Sequence, residues 1–270
     1  MQKRTVLITG ASSGIGQACA QLLSQSDDRF TVYGTSRHPK NPAFFPFKMI
    51  EMDVTSDLSV GKGINKVLNE TGRLDVLVNN AGYGITARVE DIPIEESIRL
   101  YDTNLVGMIR TCREAVPFMR KQGGGLIINM SSQAGTFGLP YRTDYSASKA
   151  AIDNWSKNAR REFRRYGIDV VVVRPGNIAT PFTQNSCVIP CADEVFNFVV
   201  QKYVLDESRG PHPDRVAETV RKAIESEHPR KVYDVLGLRE RCLVSLGNRL
   251  PDCLKEIMVA YHYGLNGLKQ

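Results

Sequence analysis

The stretch Thr5-Val6-Leu7-Ile8-Thr9-Gly10-Ala11-Ser12-Ser13-Gly14-Ile15-Gly16 passes from a short apolar run, through glycines, into a helical pattern. Thr5–Thr9 reads as a strand, and 15–24 as a helix with Ile15, Ala18, Cys19, Leu22 and Leu23 on one face. Gly10, Gly14 and Gly16 at the junction permit a tight turn and let the backbone approach a pyrophosphate seated on the helix N-terminus. The spacing is G-x-x-x-G-x-G, not G-x-G-x-x-G, so the glycines alone are a weak signal; their place between strand and helix gives them weight.

Outward from this stretch the alternation repeats. Residues 30–35 and 48–52 read as the second and third strands, the latter ending at Asp53, and 56–71 is mostly helical despite Gly61 and Gly63. Residues 74–78 form a fourth strand, 95–120 a long helix and 126–130 a fifth strand. A helix over 145–166 buries Ile152, Trp155, Ala159, Phe163 and Tyr166 and stops at Gly167. Residues 168–173 are a continuous apolar strand of the kind covered on both faces. A helix over 214–225 and a strand over 231–235 complete the series. The pattern predicts a single-domain α/β fold: a Rossmann-type doubly wound parallel sheet with helices on both faces and a ligand crevice beyond the carboxyl ends of the strands. Residues 1–236 are read as the dinucleotide-binding catalytic domain and 237–270 as a C-terminal helical extension of it.

Composition narrows the class. A chain of 270 residues builds a core without disulfide staples. The six cysteines lack ligand spacing; Cys187 and Cys191 are four apart with no second pair, so no metal site is expected. No apolar h-region opens the chain and no stretch approaches a membrane span, which points to a cytoplasmic location. The net charge of +6 is spread without a basic-aromatic cluster, so nucleic-acid binding is not expected.

The chemistry concentrates at Tyr145-Ser146-Ala147-Ser148-Lys149. Four residues apart on a helix, Tyr145 and Lys149 share a face. An ammonium beside a phenol lowers the phenol pKa, from about 10, and allows acid–base work near neutrality. Ser132 lies thirteen residues upstream, after the fifth strand. Ser131 is an equal candidate by residue type. At the end of the second strand, Gly34-Thr35-Ser36-Arg37 lacks the acid that an NAD ribose requires; Ser36 stands in its place, and Arg37 offers a fork to a 2′-phosphate. NADP(H) is therefore the expected cofactor.

Thr9-Gly10-x-x-x-Gly14-x-Gly16, Asn79-Asn80-Ala81-Gly82, Ser132 and Tyr145-x-x-x-Lys149, in this order, resemble the short-chain dehydrogenase/reductase family from residue 4 to about 228. The narrower pattern is similar to its hydroxysteroid- and retinol-dehydrogenase-like branches. The resemblance implies a catalytic tetrad of Asn104, Ser132, Tyr145 and Lys149, and its thirteen-residue spacing selects Ser132 over Ser131. Tyr145 would exchange a proton with the substrate oxygen, and Ser132 would bond that oxygen. Lys149 would also reach the nicotinamide ribose, and Asn104 would hold a water linking Lys149 to solvent. The cofactor would lie along Gly10, Ser12, Ser13, Gly14, Ile15, Gly16, Ser36, Arg37, Asp53, Val54, Asn80, Ala81, Gly82, Pro175, Gly176, Ile178 and Thr180. Asp53 would face the adenine, or else cap the helix before Ser56.

Substrate would meet Ser132, Tyr145, Phe137 and Phe182, the last opening a variable lid over 182–213. The lid's apolar side chains suit a bulky hydrophobic alcohol or ketone of steroid, retinoid or lipid type; they equally suit packing of the lid on the body. In the tail, Leu238, Leu243, Leu246, Leu250, Leu254, Met258 and Tyr261 recur at helical spacing among Arg239, Arg241, Arg249 and Lys255. That pattern fits packing on its own domain, a cover for the cleft, a subunit contact or a membrane-surface element. The expected activity is NADP(H)-dependent oxidoreduction at a CH–OH group (EC 1.1.1 type). The alternatives are a 3-oxoacyl-[acyl-carrier-protein] reductase and a non-catalytic NADP(H) sensor. By resemblance the chain pairs through helices 95–120 and 145–166 into a homodimer or homotetramer.

Overall fold

The structure is a computed structural model that describes residues 3–39, 44–247 and 249–265; the remainder of the two expected segments, and the side chain of Arg239, lie outside the described residues. Seven parallel strands form the sheet: β1 (Arg4–Ile8), β2 (Phe30–Ser36), β3 (Lys48–Glu51), β4 (Val76–Asn79), β6 (Gly125–Met130), β7 (Ile168–Pro175) and β9 (Val232–Val235). Their order is β3-β2-β1-β4-β6-β7-β9. The chain steps outward from β1 to one side and then returns to place β4 on the other. That reversal opens a crevice between the loops that follow β1 and β4.

Alternation within β1 shows how the layers form. Val6 and Ile8 join α1 (Gly14–Ser24) and α8 (Asp214–Glu225) in one apolar layer. Leu7 points the other way, to a layer containing α2 (Asp57–Thr71), α4 (Gly107–Lys121) and α6 (Thr143–Phe163). With both faces covered, the central strands carry unbroken apolar runs. Gly63 does not break α2, because it packs against Met52, whose sulfur would lie 2.7 Å from an added Cβ.

The long helix expected over 95–120 is interrupted. It runs as α3 (Ile94–Tyr101), one π turn over Asp102–Val106, and α4. The π turn carries Asn104 inward, to 1% exposure.

Two short strands add a second, small sheet: β5 (Ile85–Thr86) pairs with β8 (Cys187–Val188). It ties the segment after β7 to the site. The lid then forms α7 (Glu194–Ser208), which buries Phe196, Val199 and Tyr203. The tail forms α9 (Leu238–Gly247) and α10 (Asp252–His262), separated near Pro251. Tyr263 is buried against Tyr203, with ring centroids 5.1 Å apart, so the tail packs on the lid. The described residues include no helix long and apolar enough to cross a membrane.

Candidate active site

A continuous crevice of about 2040 Å³ runs from the loop after β1, across the carboxyl ends of β4, β6 and β7, to the lid and tail. At its first end, Gly10 and Gly14 have φ of 65° and 57°, a region that side-chain-bearing residues rarely adopt. Gly16 is required for a different reason: an added Cβ would lie 2.3 Å from the Gly10 carbonyl oxygen. Thr9 and Asn80 brace the turn. Asn80 Nδ2 donates to the carbonyls of Thr9 (3.0 Å) and Gly10 (3.1 Å), and Thr9 Oγ1 accepts the Asn80 and Ala81 amides, each at 2.9 Å. α1 begins at Ser13 without a side-chain cap or an acid in its first turn. Its free N–H groups suit an anion, and the glycine cradle lets one approach, so these residues fit the pyrophosphate of a dinucleotide.

Ser12, Ser13, Gly14, Ile15, Ser36, Arg37, Asp53, Val54, Asn80, Ala81, Gly82, Pro175, Gly176, Ile178 and Thr180 all line the crevice. Asn79 does not. Its amide is buried in a network with Asn129 (2.9 Å) and Thr111 (2.6 Å), which locks β4 to β6 and α4. Arg37 is exposed at the mouth and, among the described residues, forms no ion pair. Asp53 does not cap α2; Ser56 does, accepting from Ser59 N. Asp53 instead accepts the Thr55 amide (2.9 Å) and hydroxyl (2.8 Å). Burial pushes its pKa up, but those two bonds and the Arg37 charge outweigh it and hold the carboxylate below its ordinary value.

Midway along the crevice stand Ser132, Tyr145 and Lys149. Ser132 Oγ accepts the Ala134 amide at 3.1 Å and stands close enough to the Tyr145 phenol to favour its phenolate, while Ser131 is buried with its hydroxyl on the Lys149 carbonyl at 3.0 Å. Both serines line the crevice, but the Ser131 hydroxyl is taken up by the Lys149 carbonyl, whereas Ser132 lies beside the Tyr145 phenol. Lys149 Nζ lies 5.7 Å from the centroid of the Tyr145 ring and donates to the Met130 carbonyl at 2.9 Å.

The pKa expectation for this pair is corrected by the structure. Tyr145 is raised above 10, not lowered, because burial disfavours the phenolate more than its neighbours favour it. The lowering influences are the Ser132 bond and the Arg142 charge, and Glu207 opposes them. Burial also weakens Lys149 as a cation, bringing its pKa from 10.5 to about 8 against the pull of Asp153. A spacing of four residues puts two groups on one face, but water access decides their proton affinities.

Asn104 is close by but does not line the crevice. Its Oδ1 accepts the Tyr83 amide at 3.0 Å, and its Nδ2 donates to the Tyr83 carbonyl (2.9 Å) and Ser148 Oγ (3.2 Å). It lies behind Gly82, whose added Cβ would stand 2.9 Å from Asn104 Oδ1 and 3.7 Å from Lys149 Nζ.

Beyond Tyr145, Phe182 sets its ring 5.4 Å from the tyrosine ring, and Phe137 continues the wall. The tail closes this end with Leu238, Leu243, Val244, Met258 and Tyr261. Three site residues escaped the sequence reading. Arg142 stands one turn before Tyr145, a spacing that could have marked it. Glu207 and Glu240 carry no local signal. Glu240 accepts the Asn177 amide at 3.0 Å, so α9 holds the loop after β7, and burial raises its pKa.

The sequence pattern of the short chain dehydrogenase family matches residues 4–187. A 3-ketodihydrosphingosine reductase of Bacteroides thetaiotaomicron is 34% identical over 98% of this chain and all of that protein. A 3-oxoacyl-[acyl-carrier-protein] reductase of Thermotoga maritima is 34% identical over 68% of this chain and 78% of that one. The crystal structure of a short-chain dehydrogenase from Streptomyces avermitilis superposes with a TM-score of 0.81 at 27% identity, covering 99% of this chain and 98% of that one. Fold and relatives together define an oxidoreductase that binds a nicotinamide cofactor and acts on CH–OH groups. The chain belongs to the short-chain dehydrogenase/reductase family.

Proposed function

We propose that the protein is an NADP(H)-dependent reductase of a ketone carried on a long apolar chain, a lipid of the 3-keto sphingoid type. The observation that carries this reading is one crevice in which Ser132 and Tyr145 stand together between a dinucleotide cradle and an apolar wall built by lid and tail. The Bacteroides relative named for such a substrate aligns over 98% of this chain. Residues 237–270 then belong to the same catalytic unit as 1–236, and the lid over 182–213 is its substrate wall. A cytoplasmic location is part of this reading.

Residues 10–16 would hold the pyrophosphate and Arg37 the 2′-phosphate, with Asp53 at the adenine and 175–180 at the nicotinamide. Bound there, NADPH supplies the hydride to the carbonyl carbon. Tyr145 gives its proton to the carbonyl oxygen, and Ser132 donates a hydrogen bond to the same oxygen as charge develops on it. Burial keeps Tyr145 protonated at neutral pH, which suits reduction. Lys149 compensates the phenolate left behind. Asn104 acts as a positioning residue through Tyr83 and Gly82.

A lipid substrate would enter past the tail, where Leu246, Leu254, Ile257 and Tyr261 are exposed beside Arg241 and Arg249. Peripheral contact with an anionic lipid surface is part of this reading. Pairing of two copies through α4 and α6 is also part of it, with Phe118 on α4 exposed.

The test is NADPH and NADH oxidation with a 3-keto sphingoid base, steroid and retinoid ketones, and a 3-oxoacyl carrier-protein thioester. Turnover of the sphingoid ketone with NADPH supports the proposal. Preference for the carrier thioester would replace it with the acyl-carrier reading, and cofactor binding without turnover of any substrate would favour a sensor.

A further inference from the structure

Glu240 is a carboxylate in the crevice that the reaction as described leaves without a role. It sits in the first turn of α9 and accepts the amide of Gly237, the residue before that helix, at 3.4 Å. Such a reach back to the amide ahead of its own helix is what a capping glutamate does, and capping would account for that contact. It does not account for the others. Glu240 Oε1 and Oε2 accept the Asn177 amide at 3.0 and 3.3 Å, from a loop 63 residues earlier in the chain. The carboxylate also lies directly on the backbone at Gly176, where an added Cβ would fall on its oxygens.

The loop held in this way leads Pro175, Gly176 and Asn177 past the reacting groups. On its other side the Pro175 carbonyl accepts the Gln133 amide at 3.0 Å and the Ser132 hydroxyl at 3.4 Å. The Gly176 amide donates to the Val235 carbonyl at 2.9 Å. Pro175 and Gly176 are thus fixed by the sheet and by the segment that carries Ser132. At Asn177 the sheet has ended, and its amide finds its acceptor in the tail. Gly210, just after the lid helix, packs on the Asn177 carbonyl, so this residue is held between lid and tail. A carboxylate acceptor makes a stronger bond than a neutral one, which suits it to fix backbone beyond the end of a strand.

We propose that Glu240 is a positioning residue: through the Asn177 amide and the Gly176 backbone, the tail sets the loop after β7 for the nicotinamide end of the cofactor. Gly176 lacks a side chain at the point where one would push the carboxylate away. In this reading α9 is part of the cofactor site as well as a wall for substrate. The inference rests on the placement of residues 175–180 at the nicotinamide.

Calorimetric titration of the full chain with NADPH, and with adenosine 2′,5′-bisphosphate, tests it. The bisphosphate carries the adenine and the 2′-phosphate but no nicotinamide. Glu240→Asp keeps the charge and the cap of α9 but is one methylene too short to reach Asn177. It is expected to weaken NADPH about tenfold while leaving the bisphosphate within about twofold. Glu240→Gln keeps the length and one acceptor oxygen, and should hold NADPH within about threefold of the wild type. Unchanged NADPH affinity in Glu240→Asp, an equal loss for both ligands, or an equal loss in the two variants would overturn the inference. Should Glu240→Asp fail to fold, Glu240→Ala decides by the same criterion. Failure of the underlying placement is separately visible in the wild type, as NADPH binding no tighter than the bisphosphate, and the inference would fall with it.

Discussion

Replacing Lys149 by Met tests the electrostatics of the site without substrate. Lys149 is 6% exposed, and burial brings its pKa from 10.5 to about 8. For a base whose folded pKa is depressed, the charged form is disfavoured in the fold. The unfolded chain then binds more protons between the two values, and stability rises with pH across that window. The full difference corresponds to about 3 kcal/mol, and about 2 kcal/mol of it should be recovered between about pH 7.5 and 9.5. Tyr145 has the opposite sign: its raised folded pKa costs stability only above about pH 10, outside this interval. Methionine fills a similar volume and carries no charge, so Lys149→Met should lose this slope. At pH 7 it should match or exceed the wild type in stability, although the Met130 carbonyl loses its donor. Urea unfolding of the cofactor-free protein at several pH values measures both. Equal pH slopes in the two proteins would refute the assignment of a strained, buried ammonium to Lys149.

Tyr145→Phe removes the phenol hydroxyl but keeps the ring against Phe182; NADPH affinity should persist while kcat falls by about a hundredfold or more, as rapid-mixing kinetics would show. Arg37→Asp should reverse the cofactor preference toward NADH, and an unchanged ratio of kcat/KM values would remove Arg37 from the 2′-phosphate site. Gly16→Ala gains about 1 kcal/mol in helix propensity, yet its Cβ would stand 2.3 Å from the Gly10 carbonyl oxygen. The clash should win, with a net stability loss of about 1–2 kcal/mol and weaker NADPH binding by titration calorimetry. Leu254→Glu together with Ile257→Glu should abolish sedimentation with anionic vesicles, because both side chains are exposed on α10; retained sedimentation would exclude α10 as the lipid-facing element.

The elements of the sheet were legible because their signals are local. Val6, Leu7 and Ile8 are apolar on both sides of a strand, and the glycines after them match a turn whose φ values only glycine adopts readily. Tyr145 and Lys149 were legible as a pair because helical geometry alone puts them on one face. The short pairing of 85–86 with 187–188 escaped, since two-residue strands leave no periodic trace. The π turn at Asn104 escaped as well, because its residues are ordinary helix residues whose inward shift depends on what α3 and α4 pack against.

The order of apolar runs, glycines and polar motifs along this chain by itself determined the doubly wound sheet, the glycine turn after β1 and the shared helix face of Tyr145 and Lys149. Each depends on neighbours a few residues apart. The tertiary structure alone decided that burial raises Tyr145 and depresses Lys149, that Arg142 meets Glu207, and that α9 and α10 wall the crevice. Those facts depend on exclusion of water and on charges brought together from distant segments, and a proton affinity is set by the whole surrounding field, which no local pattern encodes.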